Sequence, residues 1–391
     1  MSSKKTVLIS TLYTQAHGGV YTALCFLVNT LKKLEYEINI AYYMPYSIHP
    51  ELSVPFTHLF CRKPAMLCQL GELGVTEYAI GAKLPEFEFL NYYPNQHWKK
   101  LIQEAHLHIA LSGHVLSAMP FYITQQKYVA WISTSFHEDR KDRIKTFPRY
   151  RQLIDRLFIS KICAFLEKKI LRGGKIIAVS QYAKHAMTHS KLNVIPIPID
   201  TTLFSPAPDK VQPGLLCFTG RFLDPRKNIH FLFEVFSIVL KKIPSAQLYL
   251  IGDDVTPEII EQLNQLNIKS HMTVLNYIPL SELVTILQKT DVFIIPSRQE
   301  GLCVSGLEAM ACGCPVVSTK CGGPNDYIID GENGYLIDFN PTECSEKIIS
   351  IIQNRALRTR MSQHAIKTIH ENYHIDRFQE KWVQLIQEFT L

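Results

Sequence analysis

Short apolar runs rich in β-branched and aromatic residues recur along this chain. Each ends in small or polar residues and is followed by a longer segment of helix-like spacing. Continuous apolar strands that alternate with helices indicate parallel sheets covered by helices on both faces. The runs predict strands at Thr6–Ser10, Ile38–Tyr43, Leu107–Ser112, Tyr128–Ser133, Lys175–Ser180, Val194–Ile199, Leu215–Thr219, Gln247–Gly252, Met272–Leu275, Asp291–Pro296 and Pro315–Ser318. Their number fits two sheets, so we predict an α/β fold with two domains.

A linker is predicted at residues 205–214, where three prolines and a glycine interrupt both helix and strand patterns. The predicted domains are therefore residues 1–204 and 215–377, with an amphipathic segment at 378–391. In an open parallel sheet, ligands bind beyond the carboxyl ends of the strands. Functional residues are accordingly expected just after the strands.

The composition is typical of a globular protein, with 391 residues of which 47% are apolar and 19% charged. The apolar run at Thr6–Ser10 is too short for a signal peptide, and no run approaches the roughly 18 residues of a spanning helix. These features predict a cytoplasmic protein with reduced cysteines. Cys312, Cys314 and Cys321 lack zinc-site spacing, so we interpret them as buried small residues.

A basic stretch runs from Arg140 to Lys175, with twelve Lys or Arg residues against three acids. Its apolar positions have helical spacing, and they are Leu153, Leu157, Cys163, Leu166 and Ile170. The preferred interpretation is a core-facing helix with a solvated basic face. The alternative is peripheral contact with an anionic membrane surface, at the inner face of a cell membrane. Nucleic-acid binding is not expected, because no recognition motif accompanies the charge.

The densest group of unusual residues, Arg298 to Pro315, follows the predicted strand Asp291–Pro296. A glycine-containing turn leads there into a helix that begins near Val304, and free amides at a helix start bind a diphosphate well. Two carboxylates, Glu300 and Glu308, lie near that anion site, which is understandable if each accepts hydrogen bonds from hydroxyl groups. A sugar nucleotide supplies such hydroxyl groups on its ribose, for Glu308, and on its sugar ring, for Glu300.

Three cationic residues follow the predicted strand Leu215–Thr219, in the sequence Gly220-Arg221-Phe-Leu-Asp-Pro-Arg-Lys227. Arg221 and Lys227 would balance the charge of a diphosphate as it leaves. Arg226 is the alternative to Lys227, and we prefer Lys227 because a helix begins directly after it.

These segments together resemble retaining glycosyltransferase family 4, the glycosyl transferases group 1, which has the GT-B fold. The resemblance runs through Glu300 and Glu308 at E-x7-E spacing to Gly322-Gly323 and 330–336. It implies two Rossmann-like domains facing a cleft, a C-terminal helix packing back on the first domain, and a donor site that includes three turn residues. These are Gly301, Leu302 and Cys303.

The resemblance extends to the first half of the chain. Gly18 and Gly19 are similar to a loop that faces the donor phosphate in this family. His114, at a predicted strand end, resembles a histidine close to the transferred sugar, and His137 is the competing candidate. Asn325-Asp326 departs from the family pattern, where a glutamate is usual.

The implied activity is transfer of a hexosyl unit from a UDP- or GDP-sugar to a glycan, lipid or other acceptor, with retention at the anomeric carbon. No cofactor and no metal are expected, because the usual Asp-x-Asp motif is missing and Arg221 and Lys227 would offset the charge. Two alternatives remain. One is a GT-B relative such as a sugar-nucleotide epimerase, and the other is a non-catalytic sugar-nucleotide-binding protein.

Overall fold

A computed structural model describes residues 4–13, 18–60, 63–187 and 192–390 of the chain. The chain divides into two compact units. Unit 1 comprises residues 1–197 and 379–391, and unit 2 comprises residues 198–378. Each unit is built around its own sheet.

Unit 1 contains an eight-stranded sheet in the order β3-β4-β2-β1-β5-β6-β7-β8. Its strands are Thr6–Thr11 (β1), Glu37–Tyr43 (β2), Met66–Leu70 (β3), Thr76–Ile80 (β4), Leu107–Ser112 (β5), Val129–Ile132 (β6), Lys175–Ala178 (β7) and Asn193–Val194 (β8). Only β3 is antiparallel to its neighbour. The central strands β1 and β5 are almost completely buried, as expected for parallel strands covered on both faces.

In the described part of unit 1, seven α-helices cover or flank this sheet. They are Gly19–Lys33 (α1), Gln96–Glu104 (α2), Met119–Ile123 (α3), Phe136–Arg143 (α4), Arg149–Ile154 (α5), Ser160–Gly173 (α6) and Gln181–Ala186 (α7). A π-helical turn, Asp155–Ile159, joins α5 to α6.

Unit 2 contains a six-stranded, wholly parallel sheet in the order β11-β10-β9-β12-β13-β14. Its strands are Leu215–Gly220 (β9), Gln247–Gly252 (β10), Met272–Asn276 (β11), Val292–Ile295 (β12), Val316–Thr319 (β13) and Gly334–Ile337 (β14). Its helices are Ile229–Lys242 (α8), Pro257–Gln265 (α9), Leu280–Lys289 (α10), Val304–Ala311 (α11), Pro341–Gln353 (α12) and Arg355–Asn372 (α13). The final helix, Ile375–Thr390 (α14), runs from unit 2 into the last segment of unit 1.

The division between the units falls after Ile197, earlier than the linker predicted at 205–214. That segment packs within unit 2. The Gln212 amide donates to the Lys289 carbonyl at 2.9 Å, and the Gly214 amide donates to Asp291 at 2.9 Å. Its prolines therefore shape a surface segment of unit 2 rather than a free connection.

At the C-terminus, residues 379–391 cluster with unit 1. The ring of Trp382 packs edge-on against Trp131 of β6 at 5.4 Å, and both rings are buried.

The basic stretch differs from the preferred interpretation. Cys163 and Ile170 are buried as predicted, whereas Leu153 and Leu157 are exposed by 59% and 46%. The prediction of one core-facing apolar series is therefore wrong for those two leucines. The inward positions of this part of the chain are taken instead by Asp155 and Glu167, which have partners inside unit 1.

The cysteines near Gly313 are free and buried, and they are Cys312, Cys314 and Cys321. The Cys314 thiol donates to the Leu287 carbonyl at 3.0 Å. Within the residues placed by the structure, no helix has the length and apolar character needed to cross a membrane.

Candidate functional site

The turn between β12 and α11 holds the first candidate residue, Glu300. The Glu300 amide donates to the Cys321 carbonyl at 2.8 Å, and the Gly323 amide donates to the Glu300 carbonyl at 2.9 Å. A Cβ atom at Gly323 would lie 2.4 Å from Leu302 Cα, so only glycine allows this close approach. The turn is thus fixed to the segment that follows the neighbouring strand β13.

The Glu300 carboxylate pairs with a cation. Lys227 Nζ lies 2.7 Å from Glu300 Oε1, and the Ser297 hydroxyl donates to the same oxygen at 2.6 Å. The Lys227 and Glu300 side chains are only 16% and 12% exposed. Burial alone would lower the pKa of Lys227, but the adjacent Glu300 carboxylate outweighs it and the pKa is raised. Lys227 is therefore a permanent cation at neutral pH.

Arg226 has a different role from Lys227. Its guanidinium forms two hydrogen bonds to the Asp224 carboxylate, at 3.0 and 2.7 Å. Burial opposes ionisation of Asp224, yet these bonds and the Arg226 charge lower its pKa to about 2. Asp224 and Arg226 thus hold the loop after β9, and Lys227 is the cation that reaches Glu300.

Arg221 lies on the same loop and is 55% exposed, with one bond to Asp224 at 3.0 Å. An exposed guanidinium with a single partner retains free N–H donors. Arg221 can therefore bind an anion while it keeps its hydrogen bond to Asp224.

Helix α11 begins without a capping side chain at Cys303, whose backbone is left-handed with φ of 64°. The Tyr327 hydroxyl donates to the Cys303 carbonyl at 3.2 Å and fixes the approach to the helix. The first amides of an uncapped helix are free donors, and the helix dipole favours an anion there. The arrangement suits a phosphate group.

Glu308 lies in α11 and is half-buried. Burial raises its pKa from 4.5 to about 7. Among the side chains that the structure places, none forms a hydrogen bond or ion pair with this carboxylate. Its two oxygens are thus acceptors that bind water or the hydroxyl groups of a ligand.

In unit 1, Gly18 and Gly19 stand at the start of α1, and residues 14–17 of the same loop lie outside the described residues. Gly18 has extended backbone, and no atom of the described residues beyond its chain neighbours lies within 4 Å of the position its Cβ would occupy. Neither the conformation of Gly18 nor its packing against the described residues therefore requires a glycine.

His114 follows β5 and is half-buried, with its ring edge-on to Phe136 at 5.5 Å. Burial lowers its pKa, although the nearby Asp139 and Glu88 carboxylates act in the opposite direction. Its Nδ1 atom is buried, and no hydrogen-bond partner for it exists among the described residues. The competing His137 is exposed on α4. His114 is thus a half-buried, neutral imidazole with an unused polar atom, whereas the His137 ring lies at the surface.

Comparison with known proteins identifies unit 2. The family model described as glycosyl transferases group 1 matches residues 201–368, which include the Lys227–Glu300 pair and all of α11. Residues 201–368 form a glycosyl transferases group 1 domain. An uncharacterized glycosyltransferase of Methanocaldococcus jannaschii is 30% identical over 204 residues, or 51% of this chain and 56% of that protein.

A second relative is named GDP-mannose-dependent alpha-(1-6)-phosphatidylinositol monomannoside mannosyltransferase, from Mycolicibacterium smegmatis. It is 28% identical over 178 residues, which are 41% of this chain and 46% of that protein. The chain thus spans about half the length of these curated relatives.

Two solved structures resemble the whole chain. Sucrose-phosphate synthase from Thermosynechococcus elongatus aligns with a TM-score of 0.74 at 18% identity, covering 98% of each chain. Anabaena HepE in complex with UDP-glucose aligns with a TM-score of 0.71 at 16% identity, covering 98% of this chain and 99% of that one. These likenesses confirm the predicted fold class: two Rossmann-like α/β domains of the GT-B type.

Within the group 1 domain, two supporting residues escaped the sequence analysis. They are Ser297, which binds the Glu300 carboxylate, and Asp224, which anchors Arg226 and Arg221. Their signals were present in the sequence, because Ser297 is the second residue after β12 and Asp224 precedes a proline. The divergent Asn325 of the domain accepts from the Gly322 amide at 3.2 Å, so it stabilises the turn that holds Glu300.

Metal ligands were also considered. In the ranges covered by the structure, no three His, Cys, Asp or Glu side chains converge to hold a metal ion. Metal independence of the reaction stays a prediction.

Proposed function

We propose that the chain is a retaining, metal-independent glycosyltransferase that uses a UDP- or GDP-sugar donor. The observation that carries the proposal is the buried Lys227–Glu300 pair beside the uncapped start of α11. A cation and free helix amides together suit a diphosphate, and a paired carboxylate beside them suits sugar hydroxyls. The group 1 domain and its relatives named as glycosyltransferases support this assignment.

The donor would be held by three kinds of contact in unit 2. The diphosphate would lie at the amides of Gly301, Leu302 and Cys303 and at the start of α11, with Arg221 and Lys227 as counter-charges. Glu308 would accept hydrogen bonds from the two ribose hydroxyls, since no described side chain donates to its carboxylate. The HepE complex with UDP-glucose supports a UDP-sugar donor, and the GDP-mannose-dependent mannosyltransferase supports a GDP-sugar donor.

The chemical step is breakage of the bond between the anomeric carbon and the diphosphate oxygen. Lys227, Arg221 and the helix amides would stabilise the negative charge that develops on the leaving diphosphate. Glu300 is engaged by Lys227 and Ser297, so we assign it to positioning the sugar ring and stabilising positive charge rather than to nucleophilic attack. Retention would then follow from attack by an acceptor hydroxyl on the face that the diphosphate leaves. The hydroxyl proton would pass to the departing diphosphate oxygen.

For unit 1 we propose contacts with the donor and with the acceptor. Gly18 and Gly19 would offer a side-chain-free backbone surface to phosphate, and His114 would bind a hydroxyl group of the transferred sugar through a neutral ring. The acceptor class is a glycan or a lipid-linked molecule. We also propose that the protein is cytoplasmic and makes peripheral contact with the inner membrane face through Arg140–Lys175.

The test is donor turnover by the purified chain with a panel of UDP- and GDP-sugars in the presence of EDTA. We expect slow release of nucleoside diphosphate from one donor, and NMR of the freshly released sugar should show the anomer present in that donor. Glu300→Gln should reduce turnover at least tenfold while nucleotide binding persists. A reaction that EDTA abolishes would contradict metal independence, and an inverted first-formed anomer would contradict retention. A fully active Glu300→Gln would contradict the role of Glu300. If an epimerised sugar nucleotide forms in the absence of an acceptor, the chain is an epimerase instead of a glycosyltransferase.

A further inference from the structure

An unusual surface lies on the outward side of α5, the π-helical turn and α6 in unit 1, a continuous helical segment at residues 149–173. Seven large apolar side chains are exposed there, at spacings of one to four residues. They are Tyr150, Leu153, Ile154, Leu157, Phe158, Ile162 and Phe165. We call this surface the α5–α6 face. Its most exposed members, Tyr150, Phe158 and Phe165, are exposed by 71%, 61% and 61%.

Cations surround these apolar side chains. Arg149, Arg156, Lys161, Lys168, Lys169 and Arg172 are exposed between or beside them. None of the six forms an ion pair with a carboxylate placed by the structure. Lys169 contacts the Phe165 ring at 5.5 Å, so a cation and an aromatic ring share one patch of surface.

The acids of this segment point inward. Asp155 is fully buried and bonds the Arg140 guanidinium, while Glu167 is buried and accepts from the Phe136 amide at 2.8 Å. Residues 149–173 contain no other Asp or Glu. The α5–α6 face consequently combines apolar and cationic groups and presents no negative charge.

We propose that the α5–α6 face docks on the surface of an anionic lipid bilayer. A helix with exposed apolar and basic side chains lies in the interface, with its apolar groups about 5–10 Å into the headgroup boundary and its cations against anionic lipid. Lysine and arginine stems pack on apolar surface while their charges remain in the headgroup layer.

Other occupants fit less well. A second copy of the chain would bring two all-cationic faces together, and like charges at an interface repel. Nucleic acid or an acidic protein would pair the cations but leave Phe158, Phe165 and the aliphatic side chains against polar groups. Only a bilayer with negative headgroups satisfies both sets of side chains.

The α5–α6 face also has a connection to the candidate site of unit 1. Phe136, whose amide is held by Glu167 of α6, packs its ring on His114. This inference rests on the proposed function in one respect: of the two acceptor classes, it selects the lipid-linked one, presented at the bilayer. Docking itself requires no donor or acceptor.

The experiment is flotation of the full chain with vesicles of phosphatidylcholine containing phosphatidylglycerol, against vesicles of phosphatidylcholine alone. We expect binding to the mixed vesicles that weakens with salt, with little binding to the neutral ones. Phe158→Ser should weaken binding about tenfold or more through lost apolar burial. Lys161→Glu should weaken it at least fivefold, since each cation near the surface contributes about that factor.

Matched controls lie elsewhere in unit 1. Phe56→Ser removes an aromatic ring that is 70% exposed, and Lys99→Glu reverses an exposed cation on α2. Neither should change vesicle binding. As a second measurement, Leu157→Trp should show a blue-shifted emission on mixed vesicles and quenching by brominated lipid, because the other tryptophans are buried.

Absence of binding to mixed vesicles would overturn the proposal. So would equal loss of binding in the Phe56→Ser control, or self-association in the absence of vesicles that Phe158→Ser abolishes. Flotation is done without donor and donor turnover is measured without vesicles. Failure of docking and failure of the proposed transferase activity are therefore separate results.

Discussion

Glu308 offers a quantitative test, because its carboxylate is half-buried with no partner among the described side chains. Burial raises its pKa from 4.5 to about 7. A raised pKa means that folding favours the protonated form, so this group is most favourable to stability below pH 4.5 and that contribution is lost as pH rises through 7. At 1.36 kcal/mol per pH unit, the ionised carboxylate costs the folded protein about 3 kcal/mol above pH 7.

Glu308→Gln removes that cost while keeping the shape of the side chain. We expect the substitution to raise the melting temperature of unit 2 at pH 8 by about 6–12 °C, since 1 kcal/mol shifts a unit of this size by about 2–4 °C. Below pH 4.5 the gain should vanish, because wild-type Glu308 is then neutral in both the folded and the unfolded state. Differential scanning calorimetry at the two pH values measures both effects.

The same residue should govern donor binding. Two hydroxyl groups donate best to an ionised carboxylate, so donor binding should release a proton and strengthen as pH rises through 7 in the wild type. The pH dependence should disappear in Glu308→Gln, together with part of the affinity. Glu346→Gln, at an exposed position of α12, is the control and should change neither property. An unchanged melting temperature at pH 8, or a pH dependence that survives Glu308→Gln, would refute the reasoning.

Three further predictions concern the supports of the site. Lys227→Met and Glu300→Gln should each destabilise unit 2 by about 3 kcal/mol, because each leaves a buried charge unpaired. In chemical denaturation, the double variant should recover most of that loss. If the loss in the double variant instead equals the sum of the two single losses, the two side chains do not act as a pair. Ser297→Ala should lower kcat about tenfold with little change in KM, because its hydroxyl orients the Glu300 carboxylate; a change confined to KM would assign Ser297 to binding. Gly18→Ala should leave the melting temperature unchanged, since no described atom beyond the chain neighbours lies within 4 Å of the added methyl group. It should lower turnover if phosphate approaches that backbone, and full activity would remove Gly18 from the site.

Most strands were predictable because they are continuous apolar runs. Leu107–Ser112 and Gln247–Gly252 have the predicted bounds, and both are largely buried. The strand expected at Val194–Ile199 joins the sheet of unit 1 only at Asn193–Val194, because the prolines at 196 and 198 have no N–H for the ladder. The hairpin of β3 and β4 was missed, since β3 is an exposed edge strand that contains no β-branched or aromatic residue.

The basic stretch shows a different limit of sequence reasoning. Helical spacing indicates which side chains share a face, but it does not indicate which face is inside. Asp155 and Glu167 turn inward because Arg140 and the Phe136 amide supply distant partners that periodicity cannot reveal. Once those acids are buried, Leu153 and Leu157 are left outside.

Within the site, the residue types were predictable and their pairing was not. The resemblance named Glu300 and Lys227 separately, whereas their 2.7 Å contact depends on two loops that follow the neighbouring strands β9 and β12. The choice between Arg226 and Lys227 depended on Asp224, whose carboxylate takes the Arg226 guanidinium.

Binding of a nucleoside diphosphate is the most direct test of the central claim. Calorimetric titration with UDP and with GDP should show one-to-one binding of at least one of them to the wild type. Arg221→Ala, which changes an exposed side chain and should not affect folding, should weaken that binding about tenfold or more by removing a charge-assisted contact. Arg360→Ala, at an exposed position of α13, should bind as the wild type does. Failure of the wild type to bind either nucleotide, or unchanged affinity in Arg221→Ala, would contradict the account.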